Sequence, residues 1–368
     1  MDIFIKIFGM KFFISICFFL LIGDFCFSQD SSKSSIAVSG YGELYYSFDF
    51  NNPLSNTKSN FIYNYDRNNE VNANLAFIKV AYSSSNIRAN LSFASGTYVQ
   101  ANYTLEPIAL KSLYEANAGV KISAKNNLWI DAGIFASHIG FESAVGKDCW
   151  NLTRSMLADN SPYYESGVKL SYTSKNEKWF LSALLLNGWQ HIQRVAASTT
   201  PSFGTQVTYT PSSKFTLNSS IFIGNDFPDS LRKWRYFHNF YSIIELTKKM
   251  AVTIGFDCGI QQKVKASEQM NFWYSPLVIG KFKVNDQNSI AIRAEYYSDK
   301  NGVIIPTNTL NGFKTFSVSV NYDRKIANNI LWRIEYRYFN SRDNIFLTKE
   351  NHYTNSDTNI TTALCIAF

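Results

Sequence analysis

Few residues in this chain are equipped for chemistry, and they do not gather. The four histidines, His138, His191, His238 and His352, are widely spaced, and none stands at metal-ligand spacing to another His, a Cys or a carboxylate. Ser137-His138 offers a base at the end of a candidate strand, but acyl transfer also needs a positioned nucleophile and an orienting partner. There is no Gly-rich phosphate loop and no zinc-protease helix. With the two cysteines near the N-terminus set aside, Cys149, Cys258 and Cys365 remain, an odd number without paired spacing that fits neither a disulfide framework nor a C-x-x-C site. No catalytic residue, metal or cofactor is expected, and the chain is not read as an enzyme.

The charged side chains say more, because they recur with a period of two. Arg293 and Glu295 alternate with Ile292, Ala294 and Tyr296, and Arg333, Glu335 and Arg337 alternate with Trp332, Ile334, Tyr336 and Tyr338. This spacing puts the charges on one face of a strand and apolar groups on the other. Glu43, Arg88, Lys121, Asp131, Lys169 and Asp257 occupy the same wet face, as do Lys281 and Lys283. Positive groups predominate, above all Arg293, Arg333 and Arg337, which should line one wall. The chemistry they offer is a field across a water-filled lumen, partly offset by Glu295 and Glu335, that biases permeation modestly toward anions. The formal net charge of +7 is dispersed without a basic run, so no nucleic-acid partner is expected.

Such faces require strands, and the period of two runs through nearly the whole chain. In Val38–Asp49 the even positions are apolar or Gly, while Ser39, Glu43, Ser47 and Asp49 hold odd positions. Strands are expected near 36–49, 70–82, 86–96, 113–123, 127–137, 163–173, 178–188, 202–210, 214–224, 233–247, 250–262, 270–284, 287–298, 312–322, 328–340 and 359–368. That is about sixteen, each near the 9–11 residues of a tilted membrane-spanning strand or somewhat longer. The facing of 70–82 and 233–247 is not legible, because they alternate poorly. Every second connection is short and polar, such as Ala124-Lys125-Asn126 and Pro211-Ser212-Ser213. The intervening ones are long, including 50–69, 138–162, 189–201, 299–311 and 341–358.

A soluble sandwich also alternates, but it has no reason for this asymmetry of connections, nor for aromatics at both strand ends. Tyr82, Tyr172, Tyr209, Tyr322 and Phe368 lie toward the short turns and Phe48, Phe93, Tyr296 and Tyr338 toward the long loops, as two interfacial girdles would. The expected fold is therefore all-β: a transmembrane antiparallel up-and-down barrel in the outer membrane of a Gram-negative bacterium, with short turns and both termini in the periplasm. Its outer face would meet lipid and lipopolysaccharide. About sixteen strands enclose a lumen wide enough for water rather than a core filled by side chains.

Two terminal signals agree. Lys6 and Lys11, the uncharged stretch Phe12 to Gly23, and Cys26-Phe27-Ser28 read as a signal peptide over residues 1–28, leaving 29–368 as the barrel domain. The apolar stretch falls short of the roughly 20 residues of a spanning helix. At the other end, Thr362 to Phe368 alternates up to a terminal aromatic, which resembles the signal read by the barrel assembly machinery; Phe368 is the expected assembly residue. Only Gln29 to Ser35 precedes the first strand, so neither a plug domain nor an N-terminal hatch is expected.

The segment Asp148-Cys149-Trp150-Asn151-Leu152-Thr153-Arg154-Ser155-Met156, followed by Ser161-Pro162-Tyr163-Tyr164-Glu165-Ser166-Gly167-Val168-Lys169-Leu170, resembles the OmpL-like β-barrel porins, as does the opening Gly40-Tyr41-Gly42-Glu43-Leu44-Tyr45-Tyr46. The resemblance spans the mature chain, carries no catalytic group, and implies a pore for small hydrophilic solutes and ions. Loop 138–162 is expected to fold inward as a constriction carrying Lys147, Asp148, Trp150 and Arg154, because Trp150, Leu152, Met156 and Leu157 ask for burial. The alternative is a barrel closed by that loop and serving as a structural or adhesion protein. Association into a homo-oligomer is compatible with either.

Overall fold

The computed structural model describes residues 34–368. The expected signal peptide lies outside them. Eighteen strands follow in chain order: β1 (Ser35–Asp49), β2 (Glu70–Ser83), β3 (Ile87–Ser95), β4 (Leu113–Lys121), β5 (Asn127–Ala136), β6 (Tyr164–Thr173), β7 (Trp179–Leu186), β8 (Ser202–Ser212), β9 (Phe215–Gly224), β10 (Arg235–Glu245), β11 (Met250–Gln262), β12 (Met270–Lys283), β13 (Asn288–Asp299), β14 (Phe313–Ala327), β15 (Ile330–Ser341), β16 (Phe346–Leu347), β17 (Tyr353–Thr354) and β18 (Ser356–Ala367). All but β16 and β17 form one closed antiparallel barrel of sixteen strands, in which each pairs with its sequence neighbours and β18 closes on β1. β16 and β17 make a small ribbon within the connection from β15 to β18.

Register carries one face around the barrel without a break. Asp323 pairs with Arg333, Arg333 with Ala363, and Ala363 with Tyr45. Partners point the same way, so the wet faces read from separate strands join into a single inner wall. The outer wall is apolar, with Ile36, Ile78, Phe93, Val278 and Ile292 among its exposed side chains. Short turns at one end alternate with long connections at the other, as the spacing predicts.

The two strands whose facing is illegible have separate causes. In β2 the register shifts opposite Glu43 and Leu44, because Asn74 is an extra residue between Ala73 and Leu75. Such a bulge breaks the period of two, and both Asn74 and Leu75 are completely buried. In β10 the alternation is weak because its inner face is itself partly apolar: Phe237 and Tyr241 point inward with Arg235 and Asn239.

That observation corrects the expectation of a lumen without a core. The inner wall carries Phe222, Phe237, Trp273, Phe313 and Phe339, and these pack with Phe61 and Phe346 from the long connections into one buried apolar cluster. A second cluster joins Tyr41, Leu75 and Ile134 to Tyr98, Tyr103, Tyr163 and Tyr164. Sixteen strands leave room for water, but here the connections turn inward and fill much of it with side chains.

Candidate functional site

The connection between β5 and β6, residues 137–163, enters the barrel and touches the inner wall on several sides. Its neck closes with Ser137 N donating to Tyr163 O at 3.0 Å. His138 fastens it first: Nδ1 meets Glu165 Oε2 at 2.8 Å, Nε2 meets Ile221 O at 2.8 Å, and Ser220 Oγ donates to His138 O at 2.8 Å. Both ring nitrogens face acceptors, which the imidazolium alone can satisfy. Burial by itself would lower the His138 pKa, but the Glu165 carboxylate and the Ile221 carbonyl outweigh it and hold the group above its ordinary value. His138 thus serves as an anchor. The residue singled out as a base has no free ring nitrogen with which to act as one.

Beyond His138 the segment crosses the lumen. Gly140 N donates to Asn239 Oδ1 on β10 at 3.1 Å, and Phe141 packs on Tyr241 with ring centroids 5.4 Å apart. Lys147 N reaches Tyr41 OH on β1 at 3.3 Å. Gly146 lies so close to the Glu43 carboxylate that any Cβ there would collide with it.

The tightest docking is against β13, β14 and β15. Arg333 donates to Gly146 O at 2.6 Å, Cys149 O at 2.9 Å and Trp150 O at 3.1 Å, while Asp323 holds its Nε at 2.7 Å. Arg293 donates to Thr153 O at 2.7 Å, and Arg337 to Arg154 O at 2.8 Å. In return Glu335 accepts from Thr153 N at 2.5 Å and Glu295 from Met156 N at 2.6 Å. The wall charges also pair with one another, Arg293 with Glu335 at 3.1 Å and Arg337 with Glu295 at 2.6 Å. The segment then makes a short helix, Met156–Asp159, capped by Ser155 Oγ accepting from Ala158 N at 3.1 Å.

All eleven residues expected to line the lumen point inward. They divide into two groups. Arg293, Arg333 and Arg337 are 0 %, 0 % and 3 % exposed, lying beneath the segment with Glu295 and Glu335. The positive wall expected from these arginines is covered, because their guanidinium N–H groups are taken up by a row of carbonyls on the segment. Glu43 and Asp257 are also buried, the latter bonded to Asn239 at 2.5 Å. In the second group, Arg88 grips buried Asp131 at 2.5 Å but keeps 38 % of its side chain exposed, and its guanidinium lies 4.4 Å from the Trp129 ring centre. Lys169 stands 4.5 Å over Phe135, and Lys121 is half-buried. Lys79, paired to Glu115 at 2.7 Å, joins this arc on the β2–β6 wall, though sequence reading left it out.

The four residues expected on the constriction divide as well. Lys147 and Asp148 are exposed and paired at 2.6 Å, and Trp150 is half-buried with Lys281 Nζ 5.7 Å from its ring centre. Arg154 is fully buried and donates to Ser143 O, Leu152 O and Ala144 O, so it staples the segment to itself. Glu165 and Glu142 also hold the segment, and neither is among the residues the sequence pattern singles out. Glu165 shares its inner face with Lys169, a signal that was present; Glu142, which accepts from Ser155, lies off any strand and gave none.

The family model described as "Putative beta-barrel porin-2, OmpL-like" matches residues 35–368. No curated protein matches the chain in sequence. Among solved structures, the anion-selective porin from Comamonas acidovorans superposes with a TM-score of 0.60 at 7 % identity, covering 91 % of this chain and 100 % of that one. OmpT of Vibrio cholerae gives 0.60 at 11 % identity over 92 % and 99 %. The outer membrane channel DcaP of Acinetobacter baumannii gives 0.58 at 9 % identity over 93 % and 99 %. At these identities the likeness is one of fold.

Proposed function

This chain belongs to the OmpL-like β-barrel porin family, and from that premise we propose a restricted porin, an outer-membrane channel in which small hydrophilic solutes and ions must pass an internal segment. The observation that carries the restriction is the docking of residues 137–163 across the lumen by Arg293, Arg333, Arg337 and their carboxylate partners. In this reading the short turns and both termini face the periplasm, the two aromatic girdles meet lipid and lipopolysaccharide, and Phe368 is read by the barrel assembly machinery. OmpT of Vibrio cholerae has been described in a trimer form, and association of this barrel with copies of itself belongs to the same proposal.

A modest anion preference is retained, with a different origin from the one the sequence suggests. It rests on Lys79, Arg88, Lys121 and Lys169, which keep partial exposure on the β2–β6 wall, and not on the covered arginines.

One observation favours the second reading, a lumen closed under resting conditions: the apolar cluster of Phe61, Phe222, Phe237, Trp273, Phe313, Phe339 and Phe346 inside the barrel. Single-channel recording of the purified protein in a planar bilayer separates the two. Discrete steps in simple salt support the porin. A silent bilayer containing correctly folded, heat-modifiable protein supports the closed barrel.

A further inference from the structure

Between the inward segment and the long connections lies a cavity of about 530 Å³, within the roughly 300–1,000 Å³ of small-molecule sites. Its charged side chains already have partners within the protein. Asp226 accepts from Arg235 Nη1 and from Trp189 N, both at 2.9 Å, and Asp159 accepts from Asn64 Nδ2 at 2.6 Å and Tyr163 OH at 2.9 Å. His191 stands 3.9 Å from both Glu106 and Asp226. The one guanidinium is spent on Asp226, so no cation is left over to recruit an anion, and Asp159 remains as an acceptor held by neutral donors. What the lining still offers is aromatic surface from Tyr63, Tyr164 and Trp189, and amides from Asn102, Asn160 and Gln190.

Behind this lining sits a group of tyrosines. Tyr103 stacks on Tyr164 at 4.1 Å, and Tyr98 meets Tyr163 edge-on at 5.5 Å. Tyr163 in turn lines a second cavity, of about 190 Å³, against the inward segment. The hydroxyls of Tyr98 and Tyr103 are buried without a hydrogen-bond partner among the described residues. Rings together with uncharged amides match a molecule with both apolar ring faces and many hydroxyls.

We propose that the larger cavity is a docking subsite for a neutral polyhydroxylated solute of the mono- or disaccharide class, with Tyr63, Tyr164 and Trp189 as its ring surface. The proposal deepens the porin reading and rests on it. The test adds maltose to the wild-type channel in a planar bilayer, one side at a time, with citrate as the charged control. Maltose on one side should reduce the ion current in a concentration-dependent way, and Tyr63→Ala should raise the half-blocking concentration about tenfold, equivalent to roughly 1.4 kcal/mol, each current being read relative to that of the same protein without maltose. A conducting channel that is indifferent to maltose, or equally blocked by citrate, or unaffected by Tyr63→Ala, overturns the subsite while leaving the porin intact. If the protein does not conduct, calorimetric titration of the detergent-solubilised barrel with maltose decides instead: heat of binding weakened by Tyr63→Ala supports the subsite, and its absence overturns it. Trp189→Leu, which keeps an apolar group against Phe222 and Phe237, serves if the first variant does not fold.

Discussion

Arg333 holds three carbonyls of the inward segment and one wall carboxylate with a single guanidinium. Replacing it with Met leaves Asp323 nearly buried without its cation, and removing one partner of such a pair costs about 3–5 kcal/mol. The expected result for Arg333→Met is a looser segment: larger and noisier conductance steps, and heat-induced unfolding at a lower temperature, both measurable on one preparation. Unchanged noise and unfolding would mean that the apolar contacts of Leu157 with Leu277 and Ile279 suffice to hold the segment. His138 yields a prediction with a sign. Its pKa is raised in the folded protein, so its stabilising contribution is complete below the unfolded value of about 6.5 and is lost as pH rises through the folded value. Channel noise should therefore grow as pH rises above that unfolded value and through the higher folded one. Glu165→Gln removes the main raising influence and should move that onset to lower pH; an onset at the same pH in both proteins defeats the assignment.

At the scale of elements, the closing strand shows how a terminal residue is built into the wall. Phe368 N donates to Gly40 O at 3.0 Å and Gly40 N to Phe368 O at 2.8 Å, and the Phe368 ring occupies the space that a side chain on residue 40 would need. The ring is 75 % exposed on the outer face, where a girdle aromatic belongs. Deleting Phe368 should lower the amount of membrane-inserted, heat-modifiable protein, and Gly40→Val should do so more weakly by displacing the ring. Equal insertion of all three proteins removes the assembly role. The strands themselves were legible because a lipid-facing wall forces apolar residues onto every second position. That rule is blind to β2, where Asn74 is an extra residue, and to β10, where the inner face is not wet. The candidate site was legible in part. The apolar spacing of Trp150, Leu152, Met156 and Leu157 announces burial; the last three are buried and Trp150 is half-buried. What they bury against is fixed by long-range register, bringing Thr153 to Glu335 and Gly140 to Asn239, and no local pattern encodes such pairs.

For the whole molecule, the decisive quantity is how charge is divided between contacts within the protein and contacts with water. The sequence places Arg293, Arg333 and Arg337 on one inner wall, and the structure agrees, but each is buried and matched by Glu295, Glu335, Asp323 and the carbonyls of the segment. A matched, buried cation contributes little field to a solute passing elsewhere in the lumen. Arg88, Lys121 and Lys169 lie on a different stretch of wall and keep partial exposure, with Asp131 nearby, while Lys79 on the same stretch is offset by Glu115. Screening over about 8 Å at physiological salt limits the reach of their field, so the outcome is a bias in permeability, not exclusion of cations. Reversal potentials in a salt gradient should accordingly show a weak anion preference that falls toward zero in Arg88→Gln with Lys121→Gln and Lys169→Gln. In Arg337→Gln the preference should persist even as the segment loosens. If instead Arg337→Gln abolishes selectivity and the triple variant leaves it intact, then the segment moves aside in the conducting state and exposes the wall it covers, and the anion path runs along β13 to β15.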